Sequence, residues 1–119
     1  MTDRRYRVGL MGEQAAEALL TRRGMTVLAR RFRYGRGEID LICEDHGTVV
    51  FVEVKARPRS RAGEGLLAVT PDKQRRIADA AAGWLMQNGG FDQPIRFDIV
   101  ELTADGPLHV PNAFAAGDW

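Results

Sequence analysis

Four side chains in the first half of the chain, Glu13, Asp40, Glu53 and Lys55, have the types and spacing for metal-assisted chemistry on a phosphate. Gly37 to Cys43 and Thr48 to Lys55 read as strands, joined across Asp45, His46 and Gly47, a turn signal of hairpin length. Alternation puts Glu53 and Lys55 on one face. With His46 and Gly47 as the loop, Asp40 stands directly opposite Glu53, their β-carbons roughly 4.5 to 5.5 Å apart. Two like charges so placed destabilise a hairpin unless Lys55 or a divalent cation offsets them. Mg²⁺, or Mn²⁺ in its place, prefers oxygen ligands and is commonly held by one or two carboxylates, leaving coordination sites for a substrate phosphate. Such a metal polarises a phosphoryl oxygen and acidifies a water, and a neighbouring lysine orients or activates that water. The same residues also fit a surface hairpin with a polar outer face, and spacing alone does not separate the two readings. Glu13 favours the metal site, because it lies three residues before Ala16 and seven before Leu20, on a largely apolar helix face.

Those residues need elements to hold them. Val8 to Arg23 reads as a helix with two apolar faces, Ala16 and Leu20 on one and Met11, Ala15, Ala18 and Leu19 on the other, closed by Gly24. It should be buried on two sides. Met25 to Ala29 reads as a strand, and residues 30–36, with four arginines, Phe32 and Tyr34, as a basic connection able to contact phosphates. Phe32 and Tyr34 have two readings, stacking on unpaired bases or anchoring the loop. Residues 56–66, rich in Arg, Pro, Ser and Gly, read as a basic loop. Thr70, Pro71 and Asp72 give an N-cap, a first-turn proline and an early acid for a second helix, with Ile77, Ala80, Ala81, Trp84 and Leu85 at helical spacing, ending at Gly89 and Gly90. Ile95 to Leu102 reads as a strand, parallel to its predecessor across the helix, and Leu108 to Val110 as a short strand before a frayed tail. The sum is one domain over residues 1–119, a small mixed α/β sheet flanked by helices, with 103–119 a short strand and loose tail.

Composition narrows the class. A chain of 119 residues with 45% hydrophobic and 28% charged residues is an ordinary globular protein. The single cysteine, Cys43, excludes an internal disulfide, no Cys/His spacing suits zinc, and a small core role is expected for it. No apolar run approaches the roughly 20 residues of a membrane span, and the Arg-bearing N-terminus lacks the apolar core of a signal peptide, so a cytoplasmic protein with no membrane partner is expected. The net charge of +1 hides blocks: residues 1–36 carry nine Arg against three acids, 37–54 carry five acids and no Lys or Arg, and 55–76 carry seven bases against two acids. Acid flanked by base suits cations in a pocket and a polyanion along its rim, although solvated faces alternate in the same way. Fifteen of the seventeen bases are Arg, and only Lys55 and Lys73 are Lys, so those positions stand out. Lys73, Arg75 and Arg76 near the second helix's N-terminus suit a phosphate or plain solvation equally. Asp98 is expected to pair with Arg96, and Trp84 to pack.

Asp40 followed after twelve residues by Glu53-Val54-Lys55 resembles the PD-(D/E)xK signature of the restriction-endonuclease-like superfamily, with Ile39 in place of the proline. The longer pattern Gly12-Glu13 with Ala16 and Leu20, Gly37-Glu38-Ile39-Asp40-Leu41-Ile42, Val50-Phe51-Val52-Glu53-Val54-Lys55, Ala68-Val69, Lys73, Arg76 and Arg96-Phe97-Asp98 resembles the bacterial YraN family. That family is similar to archaeal Holliday junction resolvases, which also place an early helical Glu before Asp, Glu and Lys. The resemblance implies a restriction-endonuclease-like α/β fold and a catalytic tetrad of Glu13, Asp40, Glu53 and Lys55. It implies a Mg²⁺ or Mn²⁺ held by Asp40, Glu53, Glu13 and the Val54 carbonyl. It further implies cleavage of DNA, branched or single-stranded, and a homodimer by analogy with enzymes that cut two strands. The nucleic acid would meet Arg31, Arg33, Arg36, Arg57, Arg59, Arg61, Lys73 and Arg76, Arg31 standing where relatives often have Asn. Two alternatives remain at this stage, a nucleic-acid-binding module without catalysis and an interaction protein that keeps only the fold.

Overall fold

Val49-Val50-Phe51-Val52 has no polar position, as expected of a strand covered on both faces. A computed structural model of the chain describes residues 4–56 and 69–117. It places this run in the third of five strands, in the order α1 (Arg4–Arg22), β1 (Thr26–Tyr34), β2 (Gly37–Asp45), β3 (Thr48–Ala56), α2 (Pro71–Gln87), β4 (Ile95–Thr103) and β5 (Gly106–Phe114). The sheet runs β1-β2-β3-β4-β5. Only β3 and β4 are parallel, joined by the crossover that contains α2, and the other neighbours are antiparallel. This is the mixed α/β, restriction-endonuclease-like architecture expected. Phe51 faces α2, in a cluster with Ile77, Trp84, Leu85, Phe97 and Ile99. Val50 and Val52 face α1, with Ala16, Leu20, Leu41, Cys43 and Val100. Trp84 meets Phe51 edge to face at 6.0 Å, so it packs as expected. Burial pushes the Cys43 thiol up to about 12, which leaves it a protonated core side chain.

The β2–β3 hairpin turns on His46 and Gly47, with φ of 50° and 88°, between the paired residues Asp45 and Thr48. Left-handed φ at both central positions is what a two-residue hairpin loop requires. Helix α2 starts as read: Thr70 accepts a hydrogen bond from Lys73 N at 3.2 Å, ahead of Pro71.

Three expectations are corrected. Helix α1 buries one stripe and not two, because the sheet offers it a single face: Ala16 and Leu20 are fully buried, Met11 is 66% exposed, and Ala15 and Ala18 are exposed. The basic segment after Ala29 is strand and not connection: β1 runs to Tyr34 and only Gly35 and Arg36 link it to β2. Arg31 obscures this in sequence. Ala29 and Phe32, an odd three positions apart, both pack on the α2 side, and Arg31 at φ 53° supplies the reversal between them. Last, the stretch after Gly106 is a nine-residue strand carrying Pro107 and Pro111, which are tolerated because β5 is an edge. Phe114 at its end stacks on Phe97 at 5.0 Å.

Beneath β5 lies a buried polar network. Asp98, fully buried on β4, takes Arg96, the Nε2–H of His109 at 2.8 Å and the Asn112 N–H at 2.9 Å. The pairing with Arg96 is the one expected. Arg23 donates to the other His109 nitrogen at 2.6 Å, which fixes the tautomer, since a guanidinium only donates.

Candidate functional site

Asp40 lies where pairing fails on both sides. In the β1–β2 ladder the register passes from Arg30↔Leu41 to Phe32↔Ile39, and the β2–β3 ladder stops at Leu41↔Val52. The expected direct pairing of Asp40 with Glu53 is therefore corrected: the strands diverge just before reaching it. In place of a backbone oxygen, Asp40 Oδ2 accepts the Val54 N–H at 2.7 Å. Glu53 stays on β3, paired in register with Ile99, and is 6% exposed. The two carboxyl groups meet across the fork within hydrogen-bond reach. Burial first, and the charge of Glu53 second, push the Asp40 carboxyl up to about 8, against the pull of the Val54 N–H.

The two lysines of the chain both turn to Glu53. Lys55 Nζ lies 3.5 Å and Lys73 Nζ 3.3 Å from Glu53 Oε1. Lys55 arrives two positions along β3, whereas Lys73 arrives from the first turn of α2, which the crossover sets over the end of β3. Burial, then the hydrogen bond with Lys73, lower the Lys55 pKa. Burial also pulls on Lys73, but the bond with Lys55 and the charge of Glu53 leave it raised. Lys55 is thus the ammonium that gives up its proton first. Sequence spacing sets Lys73 on the anion-binding rim; the signal for its place beside Glu53 is the scarcity of lysine.

Asp40, Glu53 and Lys73 border an open cleft of about 480 Å³ between the β1–β2 turn and α2, lined also by Arg36, Asp72 and Arg76, and Lys55 reaches it through Glu53. Glu13 is set apart. It borders a second depression, of about 300 Å³, with Arg30, Arg31 and Leu41 on the α1 side, and its carboxylate holds Arg31 Nε at 2.7 Å. Its charge still adds to the rise of Asp40. Among the described residues no three His, Cys, Asp or Glu side chains gather into a metal site. Asp40 and Glu53 remain an all-oxygen pair of the kind that holds Mg²⁺ with waters, and their mutual repulsion is what a divalent cation relieves, so the donor set fits that ion.

Of the remaining basic candidates, Arg33 pairs with Glu38 at 3.6 Å and Arg76 with Asp72 at 3.2 Å, while Arg36 makes no ion pair among the described residues. Arg57, Arg59 and Arg61 lie outside the described residues. One buried acid escapes the sequence reading. Glu101, fully buried on β4, is the register partner of Lys55 and shares its face. The signal is an acid continuing the inward alternation of Phe97 and Ile99.

The sequence profile of Uncharacterised protein family UPF0102 matches residues 12–102. The chain belongs to that family. Similar UPF0102 proteins include one from Symbiobacterium thermophilum, 48% identical over 92% of this chain and 98% of its own length. Another, from Anaeromyxobacter dehalogenans, is 43% identical over 98% and 87%, and one from Geobacter metallireducens is 42% identical over 90% and 91%. The family match spans the site from Glu13 through Asp40, Glu53, Lys55 and Lys73 to Glu101. Among the described residues no helix is long and apolar enough to cross a membrane.

Proposed function

We propose that this UPF0102 protein is a metal-dependent nuclease that hydrolyses phosphodiester bonds of DNA, branched or single-stranded, in the cytoplasm. The observation that carries the reading is the Asp40–Glu53 pair at the strand fork, with Asp40 driven up to about 8 by burial and by its neighbour. An acid pair in that state is under-neutralised, and a Mg²⁺ or Mn²⁺ ion on oxygens of Asp40 and Glu53 with the Val54 carbonyl is the economical partner. When bound, the ion supplies charge for the phosphoryl oxygen and lowers the pKa of water. The chain's own side chains do the rest. Lys55, lowered by burial and by Lys73, takes a proton from water or orients it, and Lys73 keeps its charge near the developing anion. Arg36 and Arg76 on the rim receive flanking phosphates. Glu13, held by Arg31, acts on Asp40 through its charge. Cutting both strands of a branched substrate would take two copies of the chain.

A binding module without catalysis has one observation in its favour: both lysines already sit on Glu53 Oε1, offsetting some of the charge that a metal would neutralise. Duplex, single-stranded and four-way-junction DNA incubated with Mg²⁺, Mn²⁺ or EDTA separate the readings. Metal-dependent cleavage of any of the three supports the nuclease; salt-dependent binding with intact DNA in every metal supports the module.

A further inference from the structure

Beside the cleft, and sharing Arg36, Gly37, Asp72 and Arg76 with it, lies a groove of about 540 Å³ along the outer stripe of α2. One wall is the β1–β2 turn with Tyr34, and the other carries Arg75, Asp79, Ala82 and Met86 at helical spacing. Two glycines set the walls close. A Cβ on Gly37 would lie 2.1 Å from the Arg76 carbonyl oxygen, and one on Gly83 would lie 2.4 Å from the Tyr34 ring. Tyr34 therefore lies with its ring against the Gly83 backbone, yet is 41% exposed, and Met86 nearby is 59% exposed. An exposed ring held against a helix, a thioether beyond it and an arginine at the junction with the cleft have the composition of a base-stacking platform with a phosphate contact.

We infer that this groove takes an unpaired nucleotide next to the scissile phosphate, its base on Tyr34 and Met86 and its phosphate on Arg36, so that the preferred substrate carries a single-stranded segment beside the cut. The inference rests on the nuclease reading and names the substrate class for it. A base inside a duplex has both faces covered by its neighbours, so only an unpaired one offers a face to Tyr34. Arg36 makes no ion pair among the described residues. Arg75 and Arg76 are shared with Asp72, and the charge of Asp79 on the same groove opposes a second phosphate there, which limits the subsite to about one nucleotide. The volume lies within the roughly 300 to 1,000 Å³ of sites that take compact ligands.

The test uses the full chain with EDTA present, so that DNA stays intact. Anisotropy compares a blunt duplex with the same duplex bearing a short single-stranded end, and 2-aminopurine in that end reports stacking. Wild type should bind the tailed duplex about 5- to 50-fold tighter than the blunt one, with the probe quenched. Tyr34→Leu should lose both the preference and the quenching, and Tyr34→Phe should keep them. Arg36→Ala, far from the buried core, should weaken the tailed duplex more than the blunt one. Equal binding of the two duplexes by wild type, or a preference that survives in a folded Tyr34→Leu, overturns the subsite and leaves the nuclease reading standing. If Tyr34→Leu does not fold, Met86→Ala with Arg36→Ala carries the test, and unchanged preference in both overturns it. Absence of any binding to DNA overturns the subsite together with the function on which it rests.

Discussion

Replacing Asp40 by Asn should stabilise the metal-free protein, and by an amount that grows with pH. The folded chain holds the Asp40 carboxyl at about 8 against 3.8 for an unperturbed group. Between those values the folded state binds a proton that the unfolded state has released, so stability falls as pH rises across that window. At about 1.4 kcal/mol per unit the full span corresponds to about 6 kcal/mol, which is a ceiling. Solvent at the cleft and the exchange of protons with Glu53 reduce it, and we expect about 2 to 4 kcal/mol, a large share of the roughly 5 to 15 kcal/mol of a typical domain. In Asp40→Asn the amide oxygen would still accept the Val54 N–H, so the fork loses charge and keeps its hydrogen bond. Urea unfolding followed by circular dichroism in EDTA, from pH 5 to 8.5, gives the comparison. The gap between Asp40→Asn and wild type should widen by about 2 to 4 kcal/mol over that range, or roughly 10 °C in midpoint temperature. Adding Mg²⁺ at high pH should narrow it by stabilising wild type alone. Parallel curves in EDTA would refute the electrostatic argument.

Other perturbations follow from the packing. Gly37→Ala places a methyl 2.1 Å from the Arg76 carbonyl oxygen, a backbone atom of α2, and should destabilise by about 2 kcal/mol or more in urea unfolding. Asp98→Ala leaves His109 and the Asn112 N–H without their acceptor and Arg96 with Asp45 alone, and should cost about 2 to 4 kcal/mol, measured the same way. Arg31→Asn exchanges a strained left-handed arginine at φ 53° for a residue that tolerates it and gives up a half-exposed ion pair with Glu13. The two effects oppose, so unfolding free energy should change by less than about 1 kcal/mol, and a larger loss would show that the ion pair holds α1 to the sheet.

The elements of the fold that are legible in sequence are those where local chemistry and packing agree. The Val49–Val52 run, the His46-Gly47 turn and the Thr70-Pro71 helix start each carry their own signal, and the resemblance to a known family adds the sheet's identity. Where tertiary context overrides local pattern, sequence misleads. Arginines on an edge strand face solvent, so β1 resembles a loop, and the reversal at Arg31 breaks its alternation. Two prolines make β5 resemble a tail, although an edge position accommodates them. Asp40, Glu53 and Lys55 are readable as a set because they lie on the two strands of one hairpin, although those strands part before Asp40 and Glu53 pair. Lys73 is not, since its meeting with Lys55 depends on how the crossover lays α2 against β3, which no local spacing records. Glu13 reads in sequence as a member of the same cluster, whereas its helix sets it in the depression on the α1 side.

The metal-dependent nuclease reading is tested by the single-turnover rate of DNA cleavage by Lys55→Ala beside wild type, purified in parallel, with Mg²⁺ and with EDTA. Wild type should cleave only with Mg²⁺, and Lys55→Ala should lose at least about a hundredfold in rate with DNA binding retained. Cleavage that persists undiminished in Lys55→Ala, or DNA bound by wild type and left uncut in every metal, would contradict it.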